Sequence, residues 1–271
     1  MTIDHGQISR ILETAIVAAR LAGQKAMEEM DYTKATFKNS EELVTEADTK
    51  CQTIIIDRIK ETYPDHGFIA EEGGDGGIFK QTPRGTDDIW WVIDPIDGTN
   101  NFAHKLPLFS ISIGVMSEGK PIVGVIFAPA LESMFTAFEG GDAQLNSRRI
   151  NASEDDLSDL TSIGLDSLFK EHVPEWAQEI IKRTMYRNLG SAALQMAYVA
   201  NGSLIANINT GTKLWDMAAG TLIAQRAGAL ATNWKGDSLF PVDLNNYEGG
   251  KFDVLVANQK VHPQLTEMLK A

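Results

Sequence analysis

The chain is short of the residues that several chemistries require. It has a single cysteine, Cys51, in 271 residues. That excludes an internal disulfide and any zinc site built on thiolates. No stretch approaches the ~18 consecutive apolar residues of a membrane-spanning helix. The opening MTIDHGQISRILETA carries acidic and polar residues where a secretory signal would have a basic and then an apolar segment. A cytoplasmic location and no membrane partner are expected. Basic residues are outnumbered as well: 24 Lys and Arg against 37 Asp and Glu give a net charge of −13. Interfaces to nucleic-acid backbones concentrate Lys and Arg, so no nucleic-acid partner is expected. A small anionic substrate stays open, provided something else supplies positive charge locally.

Familiar catalytic signatures are missing too. There is no G-x-x-x-x-G-K-[ST] loop, no H-E-x-x-H and no G-x-S-x-G. A D-x-D nucleophile pair is absent, because Ile96 stands where its second aspartate would be.

What is present is ordinary for a globular chain: 43% hydrophobic and 23% charged residues, enough to bury a sizeable core. Apolar residues at Ile8, Ile11, Leu12, Ala15, Ile16, Ala19 and Ala22 mark an amphipathic helix within residues 6–30. A second helix starts near Thr45, where Thr45-x-x-Asp48 fits a capping box, and runs towards Tyr63-Pro64. Cys51 falls in this helix as a buried structural thiol. Phe68-Ile69-Ala70 reads as a short buried strand ending at Glu71-Glu72, and Gly73–Gly77 as a mobile loop. From Trp90 to Phe138 strands follow one another through short turns, which implies antiparallel pairing. Beyond residue 150, helical patterns near 173–186, 191–200 and 261–270 alternate with strand candidates at Leu204–Asn207 and Asp253–Ala257. The expected organisation is one compact unit, with an α+β half over 1–150 and an α/β half over 151–271.

Four acidic positions share one habit: an apolar run delivers a carboxylate to the end of an element. They are Glu71, Asp94 and Asp97 after Trp91-Val92-Ile93, and Asp216 after Leu214-Trp215. If these ends converge, each like-charge pair at about 4 Å costs roughly 4 kcal/mol at an effective dielectric near 20. Such a cluster calls for protons or a cation, and hard oxygen donors suit Mg²⁺. Structural readings compete at each residue. Asp94-Pro95 could end a strand, Asp97-Gly98 could be a turn, and Asp97, Thr99 or Asp216 could cap a helix. A helix start at Gly98-Thr99 would also present free N–H groups to a phosphate beside the carboxylates. A metal-bound phosphate ester satisfies both needs.

These residues carry a resemblance. Leu43-Val44-Thr45-Glu46-Ala47-Asp48, Phe68-Ile69-Ala70-Glu71-Glu72, Trp91–Phe102 with Asp94-Pro95-Ile96-Asp97-Gly98-Thr99, Gly190-Ser191-Ala192-Ala193 and Leu214-Trp215-Asp216-Met217-Ala218-Ala219-Gly220 stand in the order found in one family. Across nearly its whole length the chain resembles the inositol monophosphatase family of Mg²⁺-dependent, lithium-sensitive phosphatases. The resemblance implies a layered αβαβα sandwich of the inositol monophosphatase/fructose-1,6-bisphosphatase type within the α+β class, commonly a homodimer, with two to three Mg²⁺ ions. By the same resemblance Glu71, Asp94 and the Ile96 carbonyl would hold a first ion. Asp94, Asp97 and Asp216 would hold a second, and Glu71 would help hold a third through water. Gly98 and Thr99 would offer N–H groups to phosphate, Thr99 with Asp48 would orient and deprotonate the attacking water, and Ala192 would touch the alcohol.

The alcohol end departs from the family pattern. Seven residues before Asp216 the inositol phosphatases carry a Glu, where this chain has Asn209. Asn is neutral and can donate as well as accept. Lys213 adds a cation that either lies solvated in its loop or meets a second anionic group. The expected substrate is a small phosphorylated polyol or sugar, with inositol 1-phosphate the default. Fructose 1,6-bisphosphate, histidinol phosphate and 3′-phosphoadenosine 5′-phosphate are the alternatives. A regulatory binding protein on the same fold is the rival from another class.

Overall fold

In the computed structural model, residues 4–32, 35–37, 43–74, 77–85, 87–165, 169 and 172–270 are described. Asp75 and Gly76 of the glycine-rich loop lie outside the described residues. Seven α-helices occur among them: α1 His5–Glu29, α2 Glu46–Lys60, α3 Thr99–Ala103, α4 Glu175–Arg183, α5 Ala192–Ala200, α6 Leu214–Arg226 and α7 His262–Lys270. The largest sheet has eight strands. From edge to edge they are Arg148–Arg149, Gln144–Leu145, Ser133–Phe138, Lys120–Ala128, Ser110–Ser117, Ile89–Asp97, Gly67–Ala70 and Phe79–Gln81. The pairs from Ile89–Asp97 through Ser133–Phe138 are antiparallel, as the short turns implied, while Gly67–Ala70 runs parallel to Ile89–Asp97. A second sheet orders Met185–Arg187, Ser162–Leu165, Ala206–Thr212, Phe252–Ala257 and Leu230–Asn233.

Alternate residues of one strand feed different cores, because strand side chains point to opposite faces. Trp91 and Ile93 pack with Ile11, Ala15 and Ala22 of α1 and Ile55 and Ile59 of α2. Trp90 and Val92 face the other way, onto Leu194 and Met196 of α5 and Met217 and Ala218 of α6. Val254 and Val256 of the second sheet complete that middle layer. Leu255 and Ala257 turn outward to Ile180 of α4 and Leu265 of α7. The layers therefore run helix, sheet, helix, sheet, helix. Both faces of the strands are covered, so Ile89–Asp97 is buried throughout and reads as a continuous apolar run rather than an alternation.

Two glycines let α6 lie close on the large sheet. A Cβ at Gly114 would fall 2.8 Å from Ala218 Cβ, and one at Gly124 would fall 2.7 Å from the Ala219 carbonyl oxygen. Cys51 is buried as expected. Its thiol donates to the Ala22 carbonyl at 3.4 Å, and burial pushes its pKa up to about 12. No helix among the described residues is long and apolar enough to cross a membrane.

The structure moves several boundaries. The strand expected over Leu204–Asn207 is Ala206–Thr212; its buried Asn207 and Asn209 break the apolar pattern that would have extended it. The helix expected near 173–186 is confined to Glu175–Arg183, and Met185–Arg187 is an edge strand instead.

Candidate functional site

Asp94 does not end its strand. Ile89–Asp97 continues through Pro95, with a break in register between Asp94 and Asp97. The cause is local. Pro95 has no N–H to give the ladder, and the Ile96 N–H is taken by Asp94 Oδ1 at 3.0 Å. Gly98 then adopts φ 94°, and α3 starts at Thr99. A Cβ at Gly98 would approach the Gly190 and Leu108 carbonyl oxygens at 3.0 and 3.1 Å, so only glycine turns here without strain. Neither Asp97 nor Thr99 caps α3; Gly98 does. Asp216 is likewise not a cap but the third residue of α6, with Oδ2 accepting the Lys213 N–H at 2.6 Å.

Asp94, Asp97 and Asp216 converge, each offering a carboxylate oxygen within 4.8 Å of the others. Asp94 and Asp97 are buried. Glu71 joins them from the end of Gly67–Ala70, its N–H donating to the Ile93 carbonyl at 3.2 Å. Burial raises the Asp94 carboxyl well above its ordinary pKa, reinforced by the charges of Glu71, Asp97 and Asp216. Burial raises Asp97 too, against the hydrogen bonds it accepts from Ser191, Ala193, Ala192 and Ser110. An anionic cluster of this kind, all oxygen and mostly buried, suits a hard divalent cation. The residues thus fit Mg²⁺.

Asp48 lies on the other side of Thr99. Its Oδ2 accepts the Thr45 N–H at 2.9 Å, which closes the capping box at the start of α2. Its Oδ1 is 3.1 Å from Thr99 Oγ1, which also lies 3.0 Å from the Ile96 carbonyl oxygen. Burial raises its pKa to about 6, opposed by the hydrogen bonds from Thr45.

Several supporting residues escaped the sequence reading. Ser110 and Ser112 stand opposite Asp97 and Asp94 in register. Ser110 Oγ donates to Asp97 Oδ2 at 3.3 Å, and Ser112 Oγ to the Trp215 carbonyl at 3.0 Å, next to Asp216. Ser191, the N-cap of α5, donates its hydroxyl to Asp97. The Ala192 and Ala193 N–H groups donate to the same carboxylate at 3.2 and 3.0 Å. Asn101 Nδ2 reaches the Leu108 and Leu189 carbonyls at 2.6 Å each and so fixes the loop before Ser191. Gln52 grips the Glu71-Glu72 arm, donating to the Glu72 carbonyl and accepting its N–H at 2.9 Å. Ser191 was the one with a readable signal, as a serine just before an Ala-Ala-Leu helix start.

Asn209, expected to face the alcohol, is fully buried in its strand beside the register break before Thr212. The Lys213 ammonium is not loose in its loop; it donates to the Gly249 carbonyl at 2.5 Å.

Comparison with known proteins agrees with this arrangement. The model of the inositol monophosphatase family matches residues 7–270. The Nus factor SuhB of Vibrio cholerae is 37% identical over 83% of this chain and 86% of its own. The fructose-1,6-bisphosphatase/inositol-1-monophosphatase of Thermotoga maritima is 39% identical over 75% of each. A solved inositol monophosphatase from the same organism superposes with a TM-score of 0.83 at 31% identity, over 96% of this chain and 97% of the other. The expectation of no nucleic-acid partner rested on net charge alone, and net charge describes the whole surface and says nothing of a local patch. On sequence and fold together, the chain belongs to the inositol monophosphatase family.

Proposed function

We propose that the protein is a Mg²⁺-dependent phosphomonoesterase acting on a small polyol or sugar phosphate, with inositol 1-phosphate the leading candidate. The observation that carries this reading is the convergence of Asp94, Asp97 and Asp216 beside the Thr99–Asp48 pair. Asp94, Asp97, Asp216, Glu71 and the Ile96 carbonyl are the residues to hold Mg²⁺, which when bound neutralises phosphate and lowers the pKa of water. Asp94 bridges the Glu71 side of the cluster to the Asp97 and Asp216 side. Gly98 and Thr99 offer backbone N–H groups to the phosphate. Thr99 Oγ1 orients the attacking water, and Asp48 Oδ1 takes the proton that the hydroxyl passes on. Ser191, Ala192 and Ala193 hold Asp97 in place and favour its ionised form against the burial that raises its pKa. Ala192 and Asn209 line the alcohol side, and Lys213, which donates to the Gly249 carbonyl, is the cation on that side for a second anionic group. Residues 1–150 then supply Glu71, Asp94 and Asp97, residues 151–271 supply Asp216, and a homodimer in the cytoplasm is the expected form.

The test is phosphate release from inositol 1-phosphate, fructose 1,6-bisphosphate, histidinol phosphate and 3′-phosphoadenosine 5′-phosphate, with and without Mg²⁺. Mg²⁺-dependent release with inositol phosphate preferred supports the reading. Release without Mg²⁺ overturns it. A second reading, a regulatory protein that works through its surface, is favoured by relatives named Nus factors. It takes the lead if none of the esters is hydrolysed.

A further inference from the structure

Residues 245–250 run between two lysines from different parts of the chain. Lys80, in the strand Phe79–Gln81, donates from Nζ to the Asn245 carbonyl at 2.8 Å and the Tyr247 carbonyl at 2.9 Å, and meets Glu248 Oε1 at 3.1 Å. Lys213, just before α6, holds the Gly249 carbonyl at 2.5 Å. Between these ties the Tyr247 hydroxyl donates to the Gly250 carbonyl at 2.8 Å and accepts the Leu214 N–H at 3.0 Å.

Leu214 is the first residue of α6, where a backbone N–H has no acceptor within the helix. The N–H before it, of Lys213, goes to Asp216 Oδ2. Two successive donors at this helix start are therefore taken by Tyr247 and by Asp216 itself. The Tyr247 ring is 6% exposed, edge-on to Trp215 at 6.3 Å and parallel to Phe252 at 6.2 Å. On the far side, Phe79 pairs with Ala70, which leads straight into Glu71. The segment thus ties the arm that carries Glu71 to the helix that carries Asp216.

We infer that Tyr247 is a positioning residue for Asp216, and that residues 245–250 are a strap fixing the Asp216 end of the carboxylate cluster relative to the Glu71 end. The inference rests on the reading of this cluster as a cation site. Without the hydroxyl, a buried N–H and a carbonyl each lose a partner, and the first turn of α6 loosens. Asp216 then has to be ordered when a cation arrives, and affinity falls. Gly98 and Thr99 sit on a different element, so contacts to the phosphate persist.

The test compares wild type with Tyr247→Phe by calorimetric titration of Mg²⁺ into metal-free protein, without substrate. The expected result is about tenfold weaker Mg²⁺ binding in the variant, the scale of one buried hydrogen bond lost. In turnover assays the Mg²⁺ concentration for half-maximal rate rises accordingly, while KM for the ester at saturating Mg²⁺ is unchanged. Lys80→Met, which cuts the strap from the other end, shifts Mg²⁺ binding in the same direction and serves if Tyr247→Phe does not fold. A purely structural tyrosine would lower Tm equally with and without Mg²⁺ and leave the affinity alone; that result overturns the strap. Wild type that binds no Mg²⁺ overturns the cation reading itself, and the strap with it.

Discussion

Thr99 Oγ1 lies 3.1 Å from Asp48 Oδ1, although 51 residues separate them. The contact joins the start of α3 to the start of α2, and the same hydroxyl lies 3.0 Å from the carbonyl of Ile96, the residue before Asp97. Asp48 already satisfies the Thr45 N–H through its other oxygen, so Oδ1 is the one turned to Thr99.

That geometry predicts the behaviour of the pair. Asp48→Asn and Thr99→Ala should each lower kcat by roughly 10²- to 10⁴-fold, the usual range for a lost proton acceptor or its relay. Mg²⁺ affinity should change little, since neither side chain belongs to the converging carboxylates. Because Asp48 titrates at about 6, kcat/KM of the wild type should rise with pH up to that value and level off above it. A rate already level below pH 5 would remove Asp48 from the role.

Asp94→Asn should abolish turnover while making the metal-free protein more stable. Asp94 holds its proton unusually tightly because it is buried beside Glu71, Asp97 and Asp216. A raised folded-state pKa means that the folded protein binds more protons than the unfolded chain, so stability declines as pH rises through that window. The buried His66 and His262, both shifted down by desolvation, act in the opposite sense at slightly acid pH. The telling quantity is therefore the Tm difference between Asp94→Asn and wild type. Without metal it should favour the variant increasingly as pH rises above the ordinary carboxylate range, and it should reverse in saturating Mg²⁺. A difference that is constant with pH and unaffected by Mg²⁺ would refute the cluster as a cation site.

Ser191→Ala tests the residues that the sequence reading overlooked. The hydroxyl both donates to Asp97 and accepts the Leu194 N–H at 3.2 Å as the cap of α5. Loss of the cap alone costs about 1 kcal/mol. Asp97, deprived of a donor that favours its ionised form, should bind Mg²⁺ more weakly, whereas Ser191→Thr keeps the hydroxyl and should restore much of both. Unaltered Mg²⁺ binding in Ser191→Ala would leave the serine with capping alone.

The acidic cluster was legible in the sequence for a simple reason: each carboxylate follows an apolar run that could only be buried, so it had to emerge at a defined place. What held the cluster was not. Ser110 and Ser112 look like the polar half of an alternating strand, yet both are fully buried opposite the aspartates. Asn101 and Gln52 act on loops 88 and 20 residues away, distances at which no local pattern speaks. A strand end at Asp94-Pro95 was one of the competing readings, because Pro normally stops a ladder; the aspartate's own side chain takes the Ile96 N–H and lets the strand resume. The layered fold was anticipated through the family resemblance, while periodicity alone gave the helices α1 and α2 and the antiparallel strands.

Asn209→Glu addresses the alcohol. Asn209 is buried on the strand Ala206–Thr212, with Thr212 and Lys213 leading from it into α6 and Asp216. A glutamate there accepts hydrogen bonds from ring hydroxyls without offering a donor in return. If the side chain faces the substrate, kcat/KM for inositol 1-phosphate relative to fructose 1,6-bisphosphate should rise by about 1–3 kcal/mol in transition-state terms. Part of that gain comes from repulsion, because a new carboxylate opposes the second phosphate of the bisphosphate. The two sources separate with ionic strength: repulsion of the bisphosphate fades as salt is raised, while the hydrogen bonds to inositol persist. A ratio unchanged at all salt concentrations would mean that the strand does not read the alcohol, and that discrimination lies with Ala192 and the start of α5.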